Sequence, residues 1–332
     1  MYDVEDDEIG VDRAGEGVYH ERPPETCDPK RQTESIQGMS EPFSRIRFIV
    51  NPSAGRRKGD IGALIRETLD RSGVDFEVLW TQRRGHAAAL AREAAGEGCG
   101  LVVAAGGDGT VHEVAAGLVE TETALGILPC GSGNGLARAL KVPLDLRRAC
   151  RLFLGARVRR IDAGQVGERR FFATAGVGLD ARVAARFEGS VRRGMLPYVL
   201  LTAQTFFTHV PEEILLTLDA GPPMKVRPFM LTLANAAQYG GGAIIAPDAQ
   251  PDDGLLDICL MEDVSIFRAV VHARRLFTGT IHRMPGVRMF RAAAVEIVRP
   301  APGPFQMDGE ALDGEAVLKV SVAPGALRVA VP

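Results

Sequence analysis

The chain of 332 residues is 46% apolar and 24% charged with a net charge of −3, ordinary globular usage with enough apolar side chains for more than one core. No window approaches the roughly 18 uninterrupted apolar residues of a membrane span. The start, MYDVEDDEIG, lacks the basic and apolar regions of a secretory signal.

Charge is uneven along the chain. Residues 1–43 hold twelve Asp and Glu against four Lys and Arg, a net of −8, and the remainder is +5. So acidic a stretch, with few large apolar groups, cannot offset its ordering entropy and is expected to be disordered. The five cysteines (Cys27, Cys99, Cys130, Cys150, Cys259) are scattered. They show neither disulfide nor zinc spacing, so a reducing cytoplasm is the expected setting.

Residues 46–50 (IRFIV) read as a buried strand ending in the turn Asn51-Pro52-Ser53-Ala54-Gly55. A helix is predicted over 61–69, a strand over 76–80 and an alanine-rich helix over 87–95. The strand 100–105 then stops at Gly106-Gly107-Asp108-Gly109-Thr110, and a helix follows over 111–118. The strand 124–128 runs into Pro129-Cys130-Gly131-Ser132-Gly133-Asn134-Gly135, and another helix begins at Leu136. Strand, glycine turn and helix recurring three times predict a parallel sheet with helices on its faces.

After about residue 160 the texture changes. Residues 171–174, 215–218, 226–234, 255–261, 294–298 and 317–322 read as strands separated mostly by Pro, Gly and Asp turns, predicting a mostly antiparallel β domain. Two stretches, 181–208 and 265–277, interrupt it with apolar, arginine-containing helical patterns.

A parallel sheet places ligands at the carboxyl ends of its strands, and three glycine-rich turns fall there. Glycine lets main-chain amides approach an anion, and a following helix N-terminus adds positive dipole. Thr110 and Ser132 offer hydroxyls to phosphate oxygens. Asp108 among such amides would repel a bare phosphate, so its placement points to a magnesium nucleotide. There is no GxxxxGK[ST] loop. Gly176-Val-Gly178-Leu-Asp-Ala181 matches a dinucleotide fingerprint but lies beyond the parallel region.

NPSAG, GGDGT and LPCGSGNGLAR, in that order and spacing, resemble the diacylglycerol kinase catalytic domain, a family that includes bacterial soluble lipid kinases and sphingosine and ceramide kinases. Later markers extend the resemblance to about residues 44–330: AGVGLD ending at Asp180, Asn235 followed by Gly240-Gly241-Gly242, APDAQPDDGLLD, and Met307-Asp308-Gly309-Glu310. It implies an α/β nucleotide-binding domain over 44–160, a β-sandwich-like lipid-substrate domain over 161–325, and a segment 326–332 returning to the first. ATP would be held by Asn51, Pro52, Ser53, Ala54 and Gly55, by Gly106, Gly107, Asp108, Gly109 and Thr110, and by Thr81, Ser132 and Asn134. Glu310 would take the proton of the attacking alcohol, with Asp308 orienting it or holding Mg2+ and Asp108 assisting. A DG turn between strands would explain the same residues without catalysis. The loop carrying Gln250, Asp253 and Leu255 would hold a structural magnesium, or be a plain acidic turn.

The activity so implied is ATP-dependent phosphorylation of a lipid primary alcohol at a membrane surface by a cytoplasmic protein, peripheral to the inner face of the membrane, with a homodimer admitted. Basic side chains among apolar neighbours in residues 181–208 and 265–291 fit an interface facing anionic lipid. Helices covering a β domain look the same, so both readings stand. Nucleic acid is not expected, since no zinc knuckle, RNP-like strand or long basic run occurs. The alternatives are a kinase of a soluble substrate such as nicotinamide dinucleotide, a non-catalytic regulator, or a Rossmann oxidoreductase.

Overall fold

Ile46, Phe48, Ile49 and Val50 are fully buried, as is every residue from Leu101 to Ala105. Strands buried on both faces read as continuous apolar runs, the mark of a parallel sheet covered by helices. In the computed structural model, which describes residues 43–54, 60–70, 72–188, 195–262 and 264–332, these runs are β1 (Arg45–Val50) and β3 (Leu101–Gly106). The acidic stretch through residue 42 and Gly55 lie outside the described residues.

Between and after them come α1 (Asp60–Leu69), β2 (Asp75–Trp80), α2 (His86–Gly96), α3 (Asp108–Leu118) and β4 (Ala124–Pro129), then the short helices α4 (Gly135–Ala139) and α5 (Leu146–Leu152). The four strands are parallel in the order β2-β1-β3-β4. Phe48 packs edge-on between Phe76 and Phe153, ring centroids 6.4 and 6.1 Å away. Burial of one such ring stabilises the fold by about 1.5–3 kcal/mol.

The chain continues through β5 (Arg157–Val166), β6 (Arg169–Phe171), β7 (Thr174–Gly178), α6 (Leu179–Glu188), α7 (Met195–Thr208), β8 (Ile214–Leu218), β9 (Met224–Val226) and β10 (Met230–Ala234). It then forms β11 (Gln238–Gly240), β12 (Ala243–Ile244), β13 (Leu256–Met261), α8 (Ile266–Phe277), β14 (Val287–Ala292), β15 (Ala294–Val298), β16 (Gly303–Met307), β17 (Glu310–Gly314) and β18 (Val317–Val331). A six-stranded antiparallel sheet, β14-β13-β10-β7-β16-β17, packs against the antiparallel end of the first sheet, β18-β15-β8-β9. Leu231, Ile258 and Phe305 from one layer meet Leu216, Ile297 and Val320 from the other in a shared core.

β18 joins the two lobes. It begins antiparallel to β15 at Val317 and Val298, follows β5 almost throughout, and reaches β4 in parallel where Val329 faces Leu125. Residues 326–331 are thus the continuation of one fifteen-residue strand, with a register shift between Ala323 and Leu327.

The sequence expectations need two corrections here. Residues 226–234 are two strands, parted by Arg227, Pro228 and Phe229, because proline has no N–H to give a ladder. Residues 171–174 are also split, since the N–H groups of Phe172 and Ala173 turn toward the Asp308 carboxylate. The helix expected over 265–277 is present as α8, and Arg288 and Arg291 of the basic run beyond it lie on β14.

Candidate active site

The order β2-β1-β3-β4 reverses direction between β1 and β3, and such a switch opens a ligand crevice at the strands' carboxyl ends. Asn51 stitches the two turns together there. Its N–H donates to the Ala105 carbonyl (3.0 Å), its Nδ2 donates to Thr110 Oγ1 (3.1 Å), and its Oδ1 accepts the Ser53 N–H (2.9 Å). Thr81 joins them at the end of β2, its N–H bonded to the Val50 carbonyl at 2.9 Å. Thr110 itself is buried beneath the loop.

Asp108 has a role that spacing could not show. Its carboxylate accepts the N–H groups of Asn134 (2.9 Å) and Gly135 (2.7 Å), tying the GGDGT turn to the GSGNG turn. Burial pushes its pKa up, against the pull of these two amides. No cation is needed to explain an acid among amides here, because the amides bind the acid. Asn134 is likewise turned inward, in the left-handed region at φ 53°, with Oδ1 on the Gly131 N–H and Nδ2 on the Gly131 carbonyl. Ser132 stays exposed at the loop tip.

The loop packs too tightly for side chains. A Cβ on Gly133 would stand 2.5 Å from Asp108 Oδ2, and one on Gly135 would stand 2.7 Å from the Tyr239 carbonyl oxygen. The β11–β12 hairpin closes over the same loop, with the Gly241 N–H on the Gly133 carbonyl (2.9 Å).

From the other lobe comes the turn between β16 and β17. Asp308 (φ 49°) and Gly309 (φ 84°) sit at its centre, the paired positive angles of a tight hairpin turn. The Asp308 side chain is only 7% exposed. Oδ1 accepts the N–H groups of Ala173 (2.8 Å) and Thr174 (3.0 Å), while Oδ2 accepts that of Phe172 (2.9 Å) and meets His112 Nδ1 at 2.8 Å. With four partners on both sides of the cleft, this carboxylate ties the two lobes together.

His112, which the resemblance includes at the end of the GGDGT turn, stands four residues after Asp108 on α3, on the same helical face, and its pairing with Asp308 carried no signal in the sequence. Burial drives its pKa down, but the bond to Asp308 and the charges of Asp308, Glu310 and Glu113 outweigh that and leave it raised. His112, Leu136, Phe172, Thr174, Tyr239 and Asp308 line a small cavity between the lobes.

Glu310, two residues past Asp308, is partly exposed and pairs with Arg84 at 2.8 Å. Arg84 belongs to the loop between β2 and α2, which Glu113 anchors by accepting the Gly85 and Ala87 N–H groups at 2.9 and 3.1 Å. A carboxylate on one wall of the cleft thus faces a guanidinium on the other. Arg84, too, carried no signal in the sequence beyond a run of basic residues.

The family described as the diacylglycerol kinase catalytic domain matches residues 45–166, and the YegS C-terminal NAD kinase beta sandwich-like domain matches residues 173–331. A protein of Chromohalobacter salexigens named "Probable lipid kinase YegS-like" is 32% identical over 281 residues, 81% of this chain and 88% of that protein. The chain belongs to the YegS-like lipid kinase family. A relative of the same name in Pseudomonas savastanoi pv. phaseolicola is 34% identical over 278 residues, covering 79% of this chain and 86% of its own. The crystal structure of a diacylglycerol kinase from Bacillus anthracis shares the fold, with TM-score 0.69 at 21% identity over 88% of this chain and 98% of that one. As a member of a kinase family, the protein is an ATP-using phosphotransferase.

In this lipid kinase family member the remaining motifs support the DGE turn. Asp180, closing AGVGLD, is buried, and burial pushes its pKa to about 6. It accepts the Tyr239 hydroxyl (2.8 Å) and Gln306 Nε2 (3.3 Å), and Gln306 Oε1 in turn accepts the Gly309 N–H (3.0 Å). Asn235 Nδ2 donates to the Phe172 and Asp162 carbonyls, both at 3.0 Å, bracing the strand end that binds Asp308.

Among the described residues no three His, Cys, Asp or Glu side chains converge as a metal centre. A cation at Gln250, Asp253 and Leu255 would therefore depend on main-chain carbonyls. Asp253 Oδ1 accepts the Leu255 N–H (3.1 Å), and Oδ2 pairs with Arg291. Nearby, the buried Asp257 Oδ2 has no hydrogen-bond partner and lies 3.6 Å from Arg291 Nε, and burial pushes that group's pKa to about 6 against the pull of the guanidinium. An all-oxygen donor set beside an under-compensated acid fits a hard dication.

Proposed function

We propose that the protein transfers the γ-phosphoryl group of MgATP to the primary hydroxyl of a lipid alcohol, of the diacylglycerol or sphingoid type. The observation that carries this reading is the pairing of Glu310 with Arg84 across the cleft, at the mouth of the glycine turns. Glu310 accepts the hydroxyl proton as the alcohol oxygen bonds to the γ-phosphorus. The bond from that phosphorus to the ADP oxygen breaks, and ADP leaves with the electron pair. Arg84, released from Glu310 by the nucleotide, offsets negative charge on the group in transit, where positioning and charge stabilisation supply most of the catalysis.

Asp108 and Asp308 do not contact reacting atoms in this scheme; they hold the glycine turns and the DGE turn in register. Magnesium bound with ATP would screen phosphate charge, and a second ion on the Gln250, Asp253 and Leu255 loop would be structural.

Glu310→Gln is expected to keep ATP affinity and lower turnover about 100-fold or more, the usual range for a general base. Near-normal turnover removes Glu310 from the role. Radiolabelled ATP with a panel of lipid alcohols identifies the acceptor by chromatography of the products. Nicotinamide dinucleotide belongs in the panel, because the GGDGT turn and the description of the C-terminal family both favour it as a second reading; label on the dinucleotide alone would overturn the lipid assignment.

A further inference from the structure

A surface helix ordinarily buries its apolar stripe and shows its polar side to water. α8 does the reverse. Its inner side carries Ala269, His272, Arg275 and Leu276, with Arg275 Nε donating to His272 Nδ1 at 3.1 Å, while Phe267 is 75% exposed and Val270, Val271 and Phe277 lie open beside it. α7 has no charged residue in fourteen and leaves Leu200 and Phe207 to solvent, Phe207 by 71%.

The two helices are neighbours. Phe206 of α7 and Val264, just ahead of α8, pack on one cluster of Leu179, Val183 and Phe229, with the Phe206 and Phe229 rings 4.8 Å apart. Around that shared cluster each helix leaves apolar side chains that packing of the fold does not account for, and exposed apolar surface of this kind marks interaction sites.

Charge decides the occupant. Residues 264–295 contain six arginines and no Asp or Glu. Arg288 and Arg291 are spent on Glu262 and Asp253, while Arg274 is exposed on α8 among the open valines. A second copy seated on this face would bury Arg274 inside an apolar contact, where unpaired charge is costly. An apolar face set with arginines suits the boundary of an anionic bilayer, where rings enter the acyl edge and guanidinium groups meet lipid phosphates.

We propose that the outer faces of α7 and α8 form the surface by which the protein docks on an anionic lipid bilayer. The surface is tied to the cleft. α8 packs on β12, the β11–β12 hairpin bonds the Gly133 carbonyl through Gly241, and Tyr239 of that hairpin bonds Asp180 at the start of α6, which packs on α7. Docking thus sets the bilayer one hairpin away from the phosphate loop. The inference stands on its own observations and deepens the lipid reading by naming where the substrate's membrane meets the protein.

The test is co-sedimentation with phosphatidylcholine vesicles, with and without phosphatidylglycerol. The full chain is expected to bind the anionic vesicles. The double variant Phe267→Ser/Val270→Ser should lose about tenfold or more in partitioning, and Arg274→Glu about fivefold per charge unit at the surface. Leu215→Ser, on an exposed strand of the same lobe, should change nothing. Indifference of the full chain to both vesicles, or of the double variant to its mutations, overturns the proposal. A dimer in light scattering that the double variant abolishes would instead make the face a contact between copies, which also overturns it. The double variant should still phosphorylate a short-chain, monomerically dispersed lipid alcohol. If no form phosphorylates any lipid while vesicle binding follows the patch, the function assigned above fails and the docking surface stands.

Discussion

Asp308→Asn separates a clamp from a metal ligand. The carboxylate holds three main-chain N–H groups and His112 with almost no solvent access. An asparagine keeps an oxygen toward Ala173 and Thr174 but sets an NH2 against the Phe172 N–H and the His112 ring. One buried N–H left without an acceptor costs about 1–3 kcal/mol, and breaking a buried charged pair from one side costs about 3–5 kcal/mol. The two overlap, so a loss of about 3–5 kcal/mol is expected, or a fall in Tm of about 6–10 °C for a chain of this size. Differential scanning calorimetry at neutral pH reads it directly, and Glu310→Gln, partly exposed, should stay within about 1 kcal/mol. If Asp308→Asn lost activity with Tm unchanged, the carboxylate would be working on the substrate side of the cleft, and the clamp would be refuted.

Three further outcomes follow from the same geometry. Because His112 has its pKa raised above 6.5, its charged pair stabilises fully below that value and fades as pH climbs through the folded-state pKa; the Tm gap between wild type and His112→Gln should be wide at acidic pH and narrow in alkali, and a pH-independent gap would dismiss the charge. Gly135→Ala, pressing a methyl on the Tyr239 carbonyl, should weaken ATP binding about tenfold by titration calorimetry, a cost typical of overpacking, while Gly96→Ala, with open space around it, should not; equal affinities would mean the loop does not touch nucleotide. Magnesium chloride should raise the Tm of the wild type and leave Asp253→Asn unmoved; an equal rise in both would reduce the loop to an acidic turn.

Three of the parallel strands, β1, β3 and β4, were legible because they are covered on both faces, so Phe48, Val103 and Ile127 sit in apolar runs, while β2 at the edge shows only an alternating pattern. β5 was not, for RVRRIDAGQV places arginines along half its length, and they read as loop until β18 lies beside them. The glycine turns were legible as turns, and the Asp108 carboxylate against Gly133 and the Tyr239 carbonyl against Gly135 leave no room for a side chain at either. What their acids do was not. Asp108 bends into the neighbouring loop, and Asp308 reaches His112 across 196 residues of chain, a partnership that spacing along the chain cannot encode.

Local periodicity and turn chemistry, carried by neighbouring residues, were enough to specify strands, helices and the order of the three phosphate-type turns. Which side of a helix is buried depends instead on what packs against it. The α8 pattern declares two unlike faces, yet only the placement of that helix on β12 turns the valines and Phe267 toward solvent and the histidine inward. The same holds at the cleft, where contacts between distant segments bind Asp108 to the neighbouring glycine turn and Asp308 to His112, and set Glu310, partly exposed, against Arg84.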